Sequence, residues 1–255
     1  MPRSHRQQKR QEKHKKRREL ARRRDQDRAA RLALPTNKTR LIQRASSFPH
    51  GPAFISPEWR ESSDAIPGLV SIVVTRRAPS GLLVPGLALV DRTCLGVKRG
   101  FVGRPATPLD LMDFLDEMAR GHGDDMEQCD LLVAQSVLYH ALDFARSLGF
   151  APDPDFPEPL FGPRPEALLD TPRARPSRPI YVPGPDDDEL AVVAKLHRAV
   201  GDAFSYGMIN QGRLIDWESL SLDDEEDGDG GGDEDDEGEA SEFDAQEDDT
   251  LSQGT

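Results

Sequence analysis

The chain has 255 residues, of which 36% are hydrophobic and 6% aromatic, so it has room for one domain with long appendages. Residues 1–44 hold 17 Lys/Arg against 4 Asp/Glu, a net charge of +13, whereas residues 221–255 hold 17 Asp/Glu and no Lys/Arg. The longest mainly apolar run, Leu82 to Val90, is interrupted by proline and glycine, which excludes a membrane-spanning helix of about 20 apolar residues.

The two ends of the chain and its cysteines indicate the compartment. No apolar stretch follows the charged start of the sequence, so we expect no secretory signal peptide. Cys94 and Cys129 are the two cysteines, too few for a disulfide framework. We therefore expect a cytoplasmic protein.

The first segment, residues 1–44, is a basic arm. Its Lys, Arg, Gln, Glu and Ala residues favour a helix, but apolar residues appear only from Leu20 onward, so a helix there has no face to bury. We expect disorder or a lone nascent helix that ends where Pro35 follows Leu34.

The last segment, residues 221–255, is acidic and includes Gly230–Gly232. It cannot bury enough apolar surface to offset the entropy lost on ordering. We expect a disordered acidic tail.

Between them, a β-hairpin opens the predicted core of residues 60–220. Residues 68–75 are apolar and β-branched as in a buried strand, residues 78–81 have turn chemistry, and residues 82–90 form the second strand. Pro85 and Gly86 suggest a bulge or an edge position in that strand.

Two helices are predicted next. The first begins at Thr107-Pro108, has Asp110 in its first turn and ends at Gly121. We expect one of its faces to be lined by Leu111, Met112, Leu115 and Met118. The central core helix should run from about Met126 to Leu148 and end at Gly149. Its apolar face is predicted to hold Leu131, Ala134, Val137, Leu138, Ala141, Phe144, Ala145 and Leu148.

Residues 151–185 contain eleven prolines and should form an irregular wrap. We expect it to be fastened to the core by Phe156, Leu160, Phe161, Leu168 and Leu169. A last helix is predicted over about 187–204, with Leu190, Val193, Leu196 and Val200 facing inward, and a short closing strand near Leu214, Ile215 and Trp217. The fold class is therefore α+β: one domain with a hairpin, two to three packed helices and a long proline-rich segment, flanked by a disordered basic N-terminal tail and a disordered acidic C-terminal tail.

Three short segments of this core carry a family resemblance. They are Leu89-Val-Asp91 with Cys94-Leu-Gly-Val-Lys98, then 141–150 with Pro152 and Asp155-Phe156, then 181–187. Their order and context resemble a family of uncharacterised bacterial proteins, some of which share a Lys/Arg-rich start, over roughly residues 65–205. The resemblance implies one cytoplasmic α+β domain and assigns no catalytic residue.

The basic arm is the first candidate functional feature. Its clusters could neutralise phosphates and release counterions, and without aromatic residues between them the binding should tolerate any sequence. The candidate nucleic-acid-binding residues are Arg10, Lys13, Lys15, Lys16, Arg17, Arg18, Arg22, Arg23 and Arg24. RNA, DNA or a ribosomal surface would serve as partner; the alternative is a solvated, solubilising tail. The acidic tail could bind a basic protein or fold back on the arm and weaken phosphate binding, or it could act only in solubility.

Loop residues of the core are weaker, catalytic candidates. Cys94 follows a predicted strand, and Lys98 could lower the pKa of its thiol, although a small buried cysteine is the commoner outcome. Asp91, Asp186 and Asp187, with Asp155 and Asp188, could gather a hard cation such as Mg²⁺, or they could serve as helix caps and turn residues. No phosphate-binding glycine motif surrounds Gly96, which we expect in a turn, and we expect no cofactor and no zinc site.

Tyr139, His140 and Asp143 form a polar stretch of the central helix that we expect to face solvent. The leading functional hypothesis is a non-enzymatic accessory factor associated with RNA or nucleoprotein. The first alternative is a metal-dependent phosphoryl-transfer or hydrolytic enzyme that uses loop carboxylates or Cys94. The second is a protein-interaction module that uses the proline-rich segment.

Overall fold

The structure, a computed structural model, describes residues 5–60, 68–122, 125–172, 177–210 and 213–216. It contains helices packed on an antiparallel sheet and confirms the α+β class. The acidic tail, residues 221–255, and Trp217 lie outside the described residues. No helix in the described part is long and apolar enough to cross a membrane.

The basic arm begins with a 28-residue helix, α1 (His5–Leu32). Of the two states expected for the arm, disorder or a lone helix, the structure has the helix. It ends shortly before Pro35. A second helix, α2 (Lys38–Ser46), follows, and the Asn37 side chain caps it by accepting a hydrogen bond from the Arg40 amide at 3.1 Å. Leu41 and Ala45 of α2 are buried, so the last part of the arm packs on the core.

The main sheet has five strands in the order β4-β3-β2-β1-β5, and every neighbouring pair is antiparallel. Its strands are β1 (His50–Ile55), β2 (Leu69–Arg77), β3 (Leu83–Asp91), β4 (Gly96–Val102) and β5 (Glu127–Cys129). Because β1 lies between β2 and β5, the folded core begins before the predicted boundary at residue 60. Neither β1 nor α2 was predicted, since both are short and carry few strongly apolar residues.

The predicted hairpin is confirmed as β2 and β3, with Gly81 in the turn at φ +85°. The expected bulge or edge position at Pro85-Gly86 is wrong, because β3 is an interior strand and its register with β2 is unbroken there. The Pro85 carbonyl accepts from the Gly103 amide at 2.8 Å, so this position faces the β4 side of β3. Gly103 lies just beyond the end of β4, and the N–H group that proline lacks therefore costs no hydrogen bond between β3 and β4.

Both faces of the sheet are covered. Val70, Ile72 and Val74 of β2 point to one face, and Val73 points to the other, as the two-residue period of a strand requires. This double burial explains why β2 and β3 are apolar throughout rather than alternating.

The helix on the Val73 face is α3 (Pro108–His122), as predicted. Its capping box joins the Asp110 amide to Thr107 Oγ1 at 3.2 Å and the Thr107 amide to the Asp110 carboxylate at 3.1 Å. Leu111 and Leu115 are buried, but Met112 is 46% exposed and the inward position belongs to Phe114.

The central helix, α4 (Leu131–Ser147), lies on the opposite face and begins later than predicted, because residues 127–129 form β5. Its buried positions include Ala134, Val137, Leu138, Ala141 and Ala145, as expected, and Gly149 follows it at φ +84°. The expectation that Tyr139 faces solvent is wrong: its side chain is 3% exposed.

The proline-rich wrap contains a one-turn helix, α5 (Glu158–Phe161), and a short strand, β6 (Ile180–Tyr181). Phe156, Leu160 and Phe161 fasten it to the core as predicted, whereas Leu169 is 40% exposed. Gly86 permits the close approach of α5, since a Cβ there would lie 3.1 Å from the Leu160 side chain.

The last helix, α6 (Glu189–Val200), packs through Leu196 on the end of α4. Leu190, predicted to face inward, is 83% exposed, and Val192 packs in its place. The closing strand is confirmed as β8 (Arg213–Asp216), which pairs antiparallel with β7 (Ser205–Asn210), while β7 runs parallel to β6.

Candidate functional site

The predicted nucleic-acid-binding residues all lie on α1. Eight of the nine have described side chains, and all eight are exposed: Lys13, Lys15, Lys16, Arg17, Arg18, Arg22, Arg23 and Arg24. The side chain of Arg10 lies outside the described residues. With a rise of about 1.5 Å per residue, a 28-residue helix is about 42 Å long.

The spacing of these cations repeats after seven residues. Lys15, Lys16 and Arg17 precede Arg22, Arg23 and Arg24 by two helical turns, so the two groups occupy the same three faces about 10 Å apart. Consecutive residues are separated by about 100° around the helix axis, and the cations therefore surround α1 rather than forming one stripe.

Few carboxylates compensate these charges. In the described part of the chain, the α1 cations form two ion pairs with carboxylates, Lys16 with Glu12 at 3.4 Å and Arg31 with Asp110 of α3. The Lys16 and Glu12 side chains are 77% and 66% exposed, so their pairing is worth little. Ala30 and Leu34 pack against the core and anchor the C-terminal end of the helix.

The weak catalytic candidates are brought together at the turn between β3 and β4. Cys94 is fully buried in this turn, and Lys98, two residues into β4, binds the Asp187 carboxylate at 2.8 Å. Arg99 pairs with Asp186 on the exposed side of the same contact. Residues almost 90 positions apart in sequence therefore meet, which no spacing rule could have predicted.

The Asp91 carboxylate stabilises the turn itself. It accepts hydrogen bonds from Thr93 Oγ1 and the Thr93 amide, both at 2.8 Å, and from the amides of Cys94 at 3.1 Å and Leu95 at 3.2 Å. Gly96 completes the turn at φ +72°, as expected from the sequence. The donors to Asp91 are three backbone amides and one hydroxyl of the turn itself, so the carboxylate acts here as a turn-stabilising residue.

The thiol of Cys94 is held in its protonated form. Burial, reinforced by the negative charge of Asp91, raises its pKa far above the ordinary range, and the smaller opposing effect of Lys98 does not restore it. A cysteine nucleophile requires the thiolate, so this environment opposes the chemistry that the candidate would need.

The contact of Lys98 with Asp187 is also enclosed. The two side chains are 12% and 15% exposed, and the Asp187 carboxylate also accepts from the Gly184 amide at 2.8 Å and from the Tyr181 hydroxyl at 3.4 Å. These bonds tie the loop before α6 to β4. The arrangement stabilises the packing of α6, and its charged groups already have partners within the chain.

The remaining carboxylates do not converge on a cation. Asp155 binds Lys38 of α2 at 2.5 Å, and Asp188 caps α6 by accepting from the Ala191 amide at 3.1 Å. Within the described ranges, no group of three or more His, Cys, Asp or Glu side chains is arranged to hold a metal ion.

Sequence reasoning missed a buried polar cluster that fastens α5. Arg76 is 6% exposed, and its guanidinium donates to the carbonyls of Leu160 at 2.8 Å, Phe48 at 2.9 Å and Pro159 at 3.2 Å. Gln135 donates to the Phe161 carbonyl at 2.7 Å, and the Tyr139 hydroxyl donates to the carbonyl of residue 162 at 2.5 Å. The strand period could have predicted this burial. Arg76 lies an even number of residues from Val70, Ile72 and Val74, so its side chain points to the same covered face of the sheet.

The three short segments singled out in the sequence, 94–98, 141–150 and 181–187, pack together. Cys94 of the first, Ala145 and Leu148 of the second and Tyr181 of the third belong to one buried apolar cluster. Comparisons with protein-family models, with curated proteins and with solved structures found no match to this chain.

Proposed function

We propose that the protein is a non-enzymatic accessory factor that α1 holds on RNA or on a ribonucleoprotein surface through the phosphate groups. The observation that carries this proposal is the array of exposed, largely unpaired cations along α1. Like charges at such density repel one another, and a polyanion that lies along the helix relieves the repulsion and releases its own counterions.

The preformed helix makes the array a better ligand for phosphate than a disordered arm. Its cations are already spaced along about 42 Å of rigid backbone, so less conformational entropy is lost on binding. No aromatic residue lies in α1, which favours contacts with the phosphate backbone and binding without sequence preference.

We place the function on α1 rather than at the turn of Cys94 because the groups at that turn are engaged with one another. A buried protonated thiol and a paired lysine support a structural role there. Two free cysteines, Cys94 and Cys129, fit the reducing cytoplasm in which we place the protein.

The test is a change of charge confined to α1. In the variant Lys15→Gln, Lys16→Gln, Arg22→Gln and Arg23→Gln, four phosphate contacts are lost while helix propensity is retained. We expect the affinity for a labelled RNA of about 20 nucleotides to fall about tenfold or more near physiological salt, and the slope of log K against log salt to become shallower by about 3. Fluorescence anisotropy across a salt series measures both quantities.

The matched control removes four exposed cations from elsewhere on the protein: Arg44, Arg120, Arg178 and Arg198, each to glutamine. Its net charge equals that of the α1 variant. If the control loses as much affinity as the α1 variant, or if the parent protein binds neither RNA nor duplex DNA at low salt, the proposal is wrong.

A further inference from the structure

A groove runs between the C-terminal end of α1, the end of β4 and the start of α3. Two adjoining cavities of about 430 and 560 Å³ form it, and both are lined by Arg31, Phe101, Gly103, Arg104 and Pro105. Volumes of this size lie within the range of ordinary ligand pockets.

The floor of the groove is apolar. Phe101, a strand residue, is 48% exposed, and around it lie Pro85, Pro105, Leu111 and Phe114. When an apolar side chain covers an exposed aromatic ring flanked by prolines, burial of the apolar surface lowers the free energy of the protein.

The rim of the groove is cationic. Arg31, Lys38 and Arg104 line it, and the one carboxylate among the lining residues, Asp110, already binds Arg31 and the Thr107 amide. Lys38 is paired with Asp155. Along α1 the wall continues into a third cavity lined by Arg23, Arg24 and Arg28, with Asp27 among them.

The chain itself carries a segment of complementary chemistry. Residues 242–249 hold five carboxylates and Phe243, the single aromatic residue in the acidic tail. An aromatic ring between acidic residues matches an apolar floor inside a cationic rim.

We propose that residues 242–249 dock in this groove, with the Phe243 ring against Phe101 and the adjoining carboxylates against Arg31 and Arg104. The docked tail covers the cations at the C-terminal end of α1 and competes there with phosphate. The docking stands on the groove alone, whereas the competition rests on the function proposed above.

The tail is long enough to reach the groove. Residues 217–241 separate the last described residue from the docking segment. Twenty-five residues span at most about 80–90 Å when fully extended. A domain of this size has a radius of gyration of about 16 Å and is therefore roughly 40 Å across, so the groove lies within reach whichever side β8 leaves from.

Tethering makes a weak contact sufficient. A segment linked in this way faces the groove at an effective concentration in the millimolar range. Salt screens the attraction of the carboxylates to the rim, but it does not weaken burial of an aromatic ring, so Phe243 separates specific docking from a diffuse attraction between opposite charges.

The docking is tested first, in the full-length chain and without nucleic acid. Phe243→p-benzoylphenylalanine carries a photoreactive ring at the docking position, and mass spectrometry of the irradiated protein maps where it attaches. We expect an intramolecular cross-link to residues 101–114 or to Arg31, at a yield independent of protein concentration. Cross-links scattered over the surface, or formed only between molecules, would overturn the proposal.

The competition is tested second, by RNA affinity. Phe243→Ala leaves the charge of the tail unchanged, so it raises RNA affinity only if docking depends on the ring. We expect an increase of about threefold or more, because the apparent dissociation constant falls as the open fraction grows. Leu222→Ala and Leu251→Ala, which remove apolar groups elsewhere in the tail, are the controls and should leave RNA affinity unchanged.

The two experiments fail independently. A cross-link in the groove with no RNA binding by the parent protein retains the docking and removes the proposed function. If the parent protein binds RNA, Phe243→Ala leaves the affinity unaltered and no cross-link forms in the groove, the docking is wrong and the proposed function is retained.

Discussion

At the scale of single residues, Arg76 shows how a buried charge can be held by carbonyl groups, with no carboxylate bound to it in the described part of the chain. Its guanidinium bonds are directed at main-chain carbonyls, two of them in the one-turn helix α5. The residue thereby joins β2, the end of α2 and the proline-rich wrap, which the sequence alone presented as three separate segments.

Replacing Arg76 with methionine should lower the free energy of unfolding by about 3 kcal/mol. The substitution keeps most of the side-chain volume but leaves buried carbonyls without donors, each at a cost of about 1–3 kcal/mol, while removal of a desolvated charge offsets part of the loss. Urea denaturation followed by circular dichroism measures the difference.

The control is the next residue along the strand, Arg77, which is exposed. Arg77→Met should change the free energy of unfolding by less than about 0.5 kcal/mol. Equal destabilisation by the two variants would show that loss of a strand arginine, and not of the buried hydrogen bonds, accounts for the effect.

At the scale of elements, the contact of β4 with α4 depends on Gly96. A Cβ at this position would lie 2.8 Å from the Cβ of Ala145, and the backbone has a left-handed φ of +72°. Gly81 has a similar φ of +85° but nothing within 4 Å of an added Cβ. The two glycines therefore separate backbone strain from packing.

We expect Gly81→Ala to cost about 1–2 kcal/mol of the free energy of unfolding through backbone strain alone. Gly96→Ala should cost a further 1–3 kcal/mol, roughly, because β4 must move away from α4. Thermal or urea unfolding of both variants gives the comparison. The double variant Gly96→Ala, Ala145→Gly should lose less stability than the sum of the losses of its two single variants, and additive losses would contradict the contact.

At the scale of the whole molecule, the start of the core decides which fragment folds. A fragment of residues 60–220 lacks β1, the strand that joins β2 to β5. It exposes the edge of β2 and the apolar face that α2 covers, so we expect it to aggregate and to show no cooperative unfolding transition.

A fragment of residues 33–220 keeps Leu34, α2 and β1 and should unfold cooperatively in the same urea titration. Comparable cooperative transitions for the two fragments would contradict the placement of β1 inside the sheet.

The parts of this fold that the sequence predicted are those governed by local chemistry. The apolar runs of β2 and β3, the turn glycine between them, the helix start at Thr107-Pro108 and the stop at Gly149 each depend on neighbours a few residues away. Met112 and Leu190 were predicted inward and are exposed, since the direction of an amphipathic face is settled by the element it packs on. For the candidate site, the cations of α1 were named from the sequence residue by residue and a helix was one of two alternatives for them, but the groove beside that helix was not predicted.

The α+β class and the segregation of charge into the two ends could be predicted from the sequence, because they follow from composition and local periodicity. The position of β1 between β2 and β5, the burial of Cys94 and the contact of Lys98 with Asp187 became known from the folded structure. The folded structure also decided that Phe101 lies between cations from α1 and from the loop before α3. These contacts join segments far apart in the chain, and their energies depend on burial and distance, which arise only when the chain has folded.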